Sequence, residues 1–180
     1  ERARSNAQPL GLVLALLLAT CLASFERDAA AVERYGREAL GLAREQGLAF
    51  VLQAESFLGW LETAEGGAAA GRGVEKIERA LAVLRGSGAR LSETQIVALL
   101  AEGHLRRGEP EQAVRRLDEA LAAAEERGER YWQPELLRLR GECRHAGGGD
   151  PLPDFEAAVR TARQLGSVAL ERRARAAAGS

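Results

Sequence analysis

Residues 100–121 read LAEGHLRRGEPEQAVRRLDEAL. An apolar–small pair, Leu100-Ala101, is followed by Leu105, then by Gly108-Glu109-Pro110. Beyond the break come Ala113, Leu117, Ala120 and Leu121. Apolar residues spaced three or four apart fall on one face of a helix. Glycine fits the left-handed residue that closes a helix, and proline fits the first turn of the next, where a backbone N–H has no intrahelical partner anyway. The stretch therefore predicts two helices joined by a tight turn. Small residues at 101, 113 and 120 let the helix backbones approach, and Leu117 fills the space beside them.

The same skeleton recurs on both sides. Upstream it is Leu58-Gly59, Gly66, Gly73, Ile77, Ala80 and Leu81; downstream it is Gly141, Gly148, Phe155, Ala158 and Val159. The period is about 40 residues, longer than the 34 of the strictest helix–turn–helix repeat. In the first pair, Val32, Ala39, Leu40 and Ala43 make a buried stripe with a blurred small–large alternation.

Working outward, helices are predicted near 8–25, 28–46, 48–65, 72–86, 92–107, 110–127, 133–146, 153–165 and 167–178. No segment alternates with the two-residue period of a strand, so the fold class is all-α. Asn6 or Ser5 would cap the first helix, with Pro9 in its first turn; Ser92 and Gln95 have the spacing of a capping box. Domain organisation is expected to be a single repeat array over 1–180, with hairpins near 8–46, 48–86, 92–127 and 133–165 and a closing helix at 167–178.

These features resemble the tetratricopeptide repeat, an α-α superhelix of hairpins. Three further segments extend the likeness: Ser92 through Leu105, Gly128 through Glu142 (GERYWQPELLRLRGE), and Arg163-Gln164-Leu165-Gly166 leading to Leu170-Glu171-Arg172-Arg173-Ala174. They are similar to the C-terminal repeats of bacterial predicted ATPases linked to adenylate/guanylate cyclase domains, and of large ATP-dependent transcriptional activators. The resemblance covers roughly residues 10–178. Arg144 and His145 depart from it by standing where the family carries aliphatic residues, and Pro151-Leu152-Pro153-Asp154 is shortened.

The resemblance implies a non-catalytic interaction or sensor module. It also implies that one helix of each hairpin lines a concave groove. Carried onto this chain, the groove positions are Gln53, Ser56 and Trp60, then Gln95, Glu102 and Arg106, then Arg138, Glu142 and His145. Trp60 is equally readable as a core plug. Tyr131 and Trp132 precede a helix and are expected to pack over the hairpin below. The expected partner is a protein or peptide segment. A homodimer and a small-molecule sensor pocket are the alternatives.

Composition agrees with that reading. Of 180 residues 46% are apolar but only 4% aromatic, so the core must be built from Leu, Ala and Val. The net charge of −1 supplies no long-range field toward nucleic acid or an anionic membrane, and neither partner is expected. His104 and His145 lie far apart with no acid–base constellation around them, and Cys143-x-His145 is too sparse for zinc. Lys76 is flanked by Glu75 and Ile77, so no phosphate-binding Gly-Lys-Ser/Thr loop is present. No catalytic residue, metal or cofactor is expected. Arg172, Arg173 and Arg175 read as a favourably charged helix end, and Glu125-Glu126 as a solvated face.

Cys21 and Cys143 sit in unlike surroundings, which suits a reducing cytoplasm better than a disulfide framework. The chain lacks methionine and begins at Glu1, as expected of part of a larger polypeptide. Arg2 and Arg4 ahead of the run Leu10–Ala19 imitate a signal peptide. The run itself is shorter than the roughly 20 residues of a membrane span, and a buried first helix is expected.

Overall fold

The computed structural model describes residues 9–87 and 92–179, and every regular element among them is a helix. They are α1 (Pro9–Glu26), α2 (Ala29–Glu45), α3 (Val51–Ala64), α4 (Gly67–Gly86), α5 (Glu93–Arg106), α6 (Pro110–Glu126), α7 (Gln133–Ala146), α8 (Leu152–Gln164) and α9 (Val168–Ala178). The all-α expectation holds. Contacts divide the chain into two compact units, Glu1–Ser92 and Glu93–Ser180.

In the first unit α1 packs on α2, α2 on α3, and α3 on α4. The α3–α4 contact is the tightest, because Gly59 and Gly73 face each other. A Cβ on Gly73 would lie 2.4 Å from the Gly59 carbonyl oxygen and 2.9 Å from the Thr63 nitrogen. Val13, Leu16, Leu17, Ala39, Ala43 and Ala54 form a core shared by α1, α2 and the start of α3. In the second unit α6 packs on α5 and α7, α8 on α7, and α9 on both α7 and α8. Here a Cβ on Gly141 would meet the Phe155 ring at 2.5 Å.

The helix ends explain the regular spacing. At Gly108 (φ 73) the chain turns left-handed; Gly108 N–H donates to the Leu105 carbonyl (3.0 Å) and Glu109 N–H to that of His104 (2.9 Å). This closes the orphaned carbonyls of α5. The same bond pair closes α1, but the left-handed residue there is Arg27 (φ 62), with Asp28 N–H donating to the Ala23 carbonyl at 3.0 Å. The first hairpin's code then becomes readable. Thr20 stands seven residues ahead of Arg27, as Gly59, Ala101 and Gly141 stand ahead of Gly66, Gly108 and Gly148, and all four of these small positions are buried. On the partner helices Val32, Gly36, Ala39 and Ala43 repeat the spacing of Ala113, Leu117, Ala120 and Ala124. The last hairpin keeps the later three positions as Phe155, Ala158 and Ala162 and lacks a buried counterpart of the first.

Arg27 leads to a paired prediction. A side chain in this conformation costs about 1 kcal/mol relative to glycine. Arg27 recovers part of this by lying 5.6 Å from the centre of the Trp60 ring. Arg27→Ala keeps the backbone cost and loses the ring contact. It is expected to melt below Arg27→Gly by the equivalent of about 1 kcal/mol in urea unfolding.

Several boundaries moved. Helix α4 begins at Gly67 rather than 72, because Ala68-Ala69-Ala70 are strong helix formers directly after the turn. Ser92 has φ 68, not the extended conformation of a capping residue, so the capping-box reading at Ser92 and Gln95 does not describe the start of α5. Instead the Thr94 hydroxyl donates to Glu129 at 2.6 Å. The caps proposed at Ser5 and Asn6 lie outside the described residues.

Helix α1 is buried on one face only. Leu10, Leu14, Leu18 and Leu22 remain between 39% and 66% exposed, which corrects the expectation of a buried first helix. Its 18 residues carry no charge before Glu26. By length and composition the helix is long and apolar enough to cross a membrane, which the shorter run Leu10–Ala19 had concealed.

Candidate functional site

The residues expected in a groove do not form an open one. On α3, Ser56 is fully buried and its hydroxyl donates to the Leu52 carbonyl at 2.8 Å. Trp60 is 4% exposed beneath Arg27, so it is a core plug; Gln53 is half-buried. On α5, Gln95 is buried, Glu102 half-buried and Arg106 exposed, with Arg106 and Glu102 3.5 Å apart.

The largest departure is on α7. Arg138, expected to face a ligand, is 4% exposed and bound from both sides by its own helix. Its Nε and Nη2 donate to Glu135 at 3.0 and 2.8 Å, and its Nη1 donates to Glu142. Glu135, itself 2% exposed, also accepts from Arg173 of α9 at 2.8 Å. Burial raises the Glu135 pKa, but the hydrogen bonds and charges of Arg138 and then Arg173 outweigh that and hold it at about 2. The Arg138 guanidinium is correspondingly raised by Glu135, Glu142 and Glu102 against the cost of its burial. These residues satisfy one another, so the charges read as a recognition surface are a clamp that fastens α9 to α7. His145 stands exposed at the end of α7.

A second clamp was not foreseen. Asp154, 2% exposed on α8, accepts two bonds from Arg140 at 3.0 and 2.6 Å and pairs with Arg144 at 2.9 Å, while Arg140 also reaches Asp118 of α6 at 2.6 Å. Arg144 thus joins Arg140 in tying α7 to α8, in a position where the resemblance led one to expect an aliphatic residue. The shared spacing of Arg140 and Arg144 along one helix face was the available signal.

The two histidines and cysteines add little chemistry. His104 is buried and shares a 2.7 Å contact with Glu109 at the turn. Cys143 is fully buried, and desolvation with the neighbouring Glu142 pushes its thiol up to about 12, where it is unreactive at neutral pH. No group of three or more His, Cys, Asp and Glu able to hold a metal occurs among the described residues.

Two of the concavities among the described residues bear on binding. In the second unit a polar hollow of about 280 Å³ lies between Gly128, Arg130 and Gln133 on one side and Thr161 and Gln164 on the other. In the first unit a larger groove of about 660 Å³ runs over α3, with α2 and Lys76 of α4 beside it. Its apolar lining is Leu40, Leu58 and Leu61, and its rim carries Glu33, Arg37, Glu62, Glu65 and Lys76. Leu58 and Trp60 are two residues, or about 200° of helix, apart. The groove therefore occupies the side of α3 opposite Gln53, Ser56 and Trp60.

No family model matches the chain. A search of curated proteins also finds no match. The reading of function accordingly rests on the groove and on the repeat resemblance.

Proposed function

We propose that the chain is a non-catalytic protein-interaction module of the helical-repeat type. In this reading it serves as the recognition or sensor part of a cytoplasmic bacterial regulatory ATPase, as the tetratricopeptide resemblance implies. The observation that carries the reading is the groove over α3. Partly exposed leucines beneath a charged rim are the usual design of a surface that takes a peptide: apolar contacts supply affinity and rim charges select.

A peptide library selected on the whole chain tests this. Enriched peptides should bind with micromolar affinity, and Leu61→Glu should weaken them at least tenfold while leaving helicity and melting temperature close to those of the parent. Enrichment that survives both Leu61→Glu and Leu58→Glu would place recognition elsewhere.

A second reading, self-association, is favoured by the exposed stripe Leu10, Leu14, Leu18 and Leu22 on α1. It predicts a mass that rises with concentration in light scattering, and a return to monomer in Leu14→Glu/Leu18→Glu. A steady monomer at high concentration excludes it.

A further inference from the structure

The groove over α3 has a charge preference that its internal ion pairs reveal. Arg37 is bound by Glu33 at 2.8 Å, four residues back on the same helix. Lys76 is bound by Glu62 across α3 and α4. Both cations on the rim are thereby neutralised by the groove's own carboxylates. Glu65, at the open end, has no cationic partner among the described residues, and it leaves the lining with three carboxylates against two cations. The first turn of α2, with Ala29 and Ala30 at the groove's edge, would ordinarily favour an anion. That end is already occupied: Asp28 accepts from the Ala31 N–H at 2.9 Å and places its own negative charge there. Arg27 is turned away, over Trp60. Of the five charged residues that line the groove, the one left over is Glu65, and it is negative.

Shape narrows the partner further. The α2 side of the groove runs from Ala29 to Leu40, about 16 Å of helix, or three turns. Leu40, Leu58 and Leu61 lie along its floor, so a helix laid in it would meet apolar contacts over a matching length. Resting on the interaction reading above, we propose that this groove accepts an amphipathic helix of about three turns. Its aliphatic residues at i, i+3 and i+7 lie on Leu40, Leu58 and Leu61, and an arginine or lysine at its end pairs with Glu65. The face used is the one away from Gln53 and Trp60, so a partner docks on the side of α3 flanked by α2 and α4.

Three synthetic helical peptides of about 14 residues test this, identical in their leucines but ending in arginine, glutamine or glutamate. Fluorescence anisotropy on the whole chain is expected to rank them arginine over glutamine over glutamate, with about tenfold between the extremes. The preference should shrink by several-fold between 50 and 300 mM salt, since a single exposed pair is screened. Glu65→Lys should invert the ranking, and Glu65→Gln should abolish it. Glu65 is exposed at the end of α3, so both variants are expected to fold, and circular dichroism checks this. Equal binding of all three peptides, sensitive to Leu61→Glu, overturns the charge assignment and leaves the interaction reading standing. Absence of binding by any of them, at concentrations where library peptides do bind, overturns the helical occupant. If the library yields nothing either, the interaction reading fails first.

Discussion

Gly73→Ala is expected to destabilise the first unit, whereas Gly71→Ala, two residues away on the same helix, is expected to stabilise it. Alanine is favoured over glycine inside a helix by about 1 kcal/mol, and at residue 71 nothing within 4 Å opposes that gain. At residue 73 the new methyl would lie 2.4 Å from the Gly59 carbonyl oxygen and 2.9 Å from both the nitrogen and Cγ2 of Thr63. Two of those atoms are backbone. No rotamer change relieves the clash, so α3 and α4 must separate, and their separation loosens Ile77 and Thr63, both buried. Overpacking of this kind costs about 1–3 kcal/mol, and a backbone obstacle places the cost at the upper end. Urea unfolding followed by circular dichroism should therefore move the two midpoints in opposite directions. A stabilising Gly73→Ala would mean that α3 and α4 do not touch at their glycines. Gly141→Ala provides a milder comparison, because the obstacle there is the Phe155 ring, which can shift.

The second large effect concerns Glu135. Replacing it with glutamine strands Arg138, which is 4% exposed, without its principal anion, and breaking a buried pair this way costs about 3–5 kcal/mol. The same interaction sets a pH dependence. Because the folded-state value, about 2, lies below the ordinary 4.5, the carboxylate stabilises the fold fully above pH 4.5. That contribution is lost as pH falls from 4.5 toward 2. The gap corresponds to about 3 kcal/mol at 1.4 kcal/mol per tenfold change. Stability of Glu135→Gln should accordingly be flatter than that of the parent over this window. Arg173→Ala removes only the outer partner. It should leave the core intact and speed amide exchange along α9, which is otherwise held mainly by Leu170 and Ala174. If α9 exchanges no faster, Arg173 is not its fastening.

Much of this architecture was legible in the residues. Glycine at 47, 66, 108, 128, 148 and 166 marks six left-handed helix ends because no other residue adopts that conformation without strain, and all six have positive φ. Small residues at 59, 73 and 141 marked close helix contacts for a similarly local reason. The break at Arg27 was legible but its left-handed conformation was not, because it fills a glycine's role with a side chain that says nothing about backbone conformation. The first hairpin also looked irregular because Val32 and Gly36 exchange the small and large places held by Ala113 and Leu117.

The candidate site was much less legible. Helical periodicity tells which residues share a face but not which of two faces an adjoining helix will cover. For α3 the face carrying Trp60 was covered, and the face carrying Leu58, which packs beside Gly36 of α2, was covered only in part. Charged residues on α7 looked solvated because isolated arginines almost always are, and only three-dimensional contact shows that Arg138, Glu135 and Arg173 neutralise one another inside the second unit.

Amide hydrogen exchange of the whole chain, with and without the arginine-ended helical peptide at saturation, tests the central claim most directly. Slowed exchange confined to residues 29–40 and 58–65 is the predicted result. Unchanged exchange there, or protection appearing instead along α7 and α9, would contradict the assignment of the groove over α3 as the binding surface.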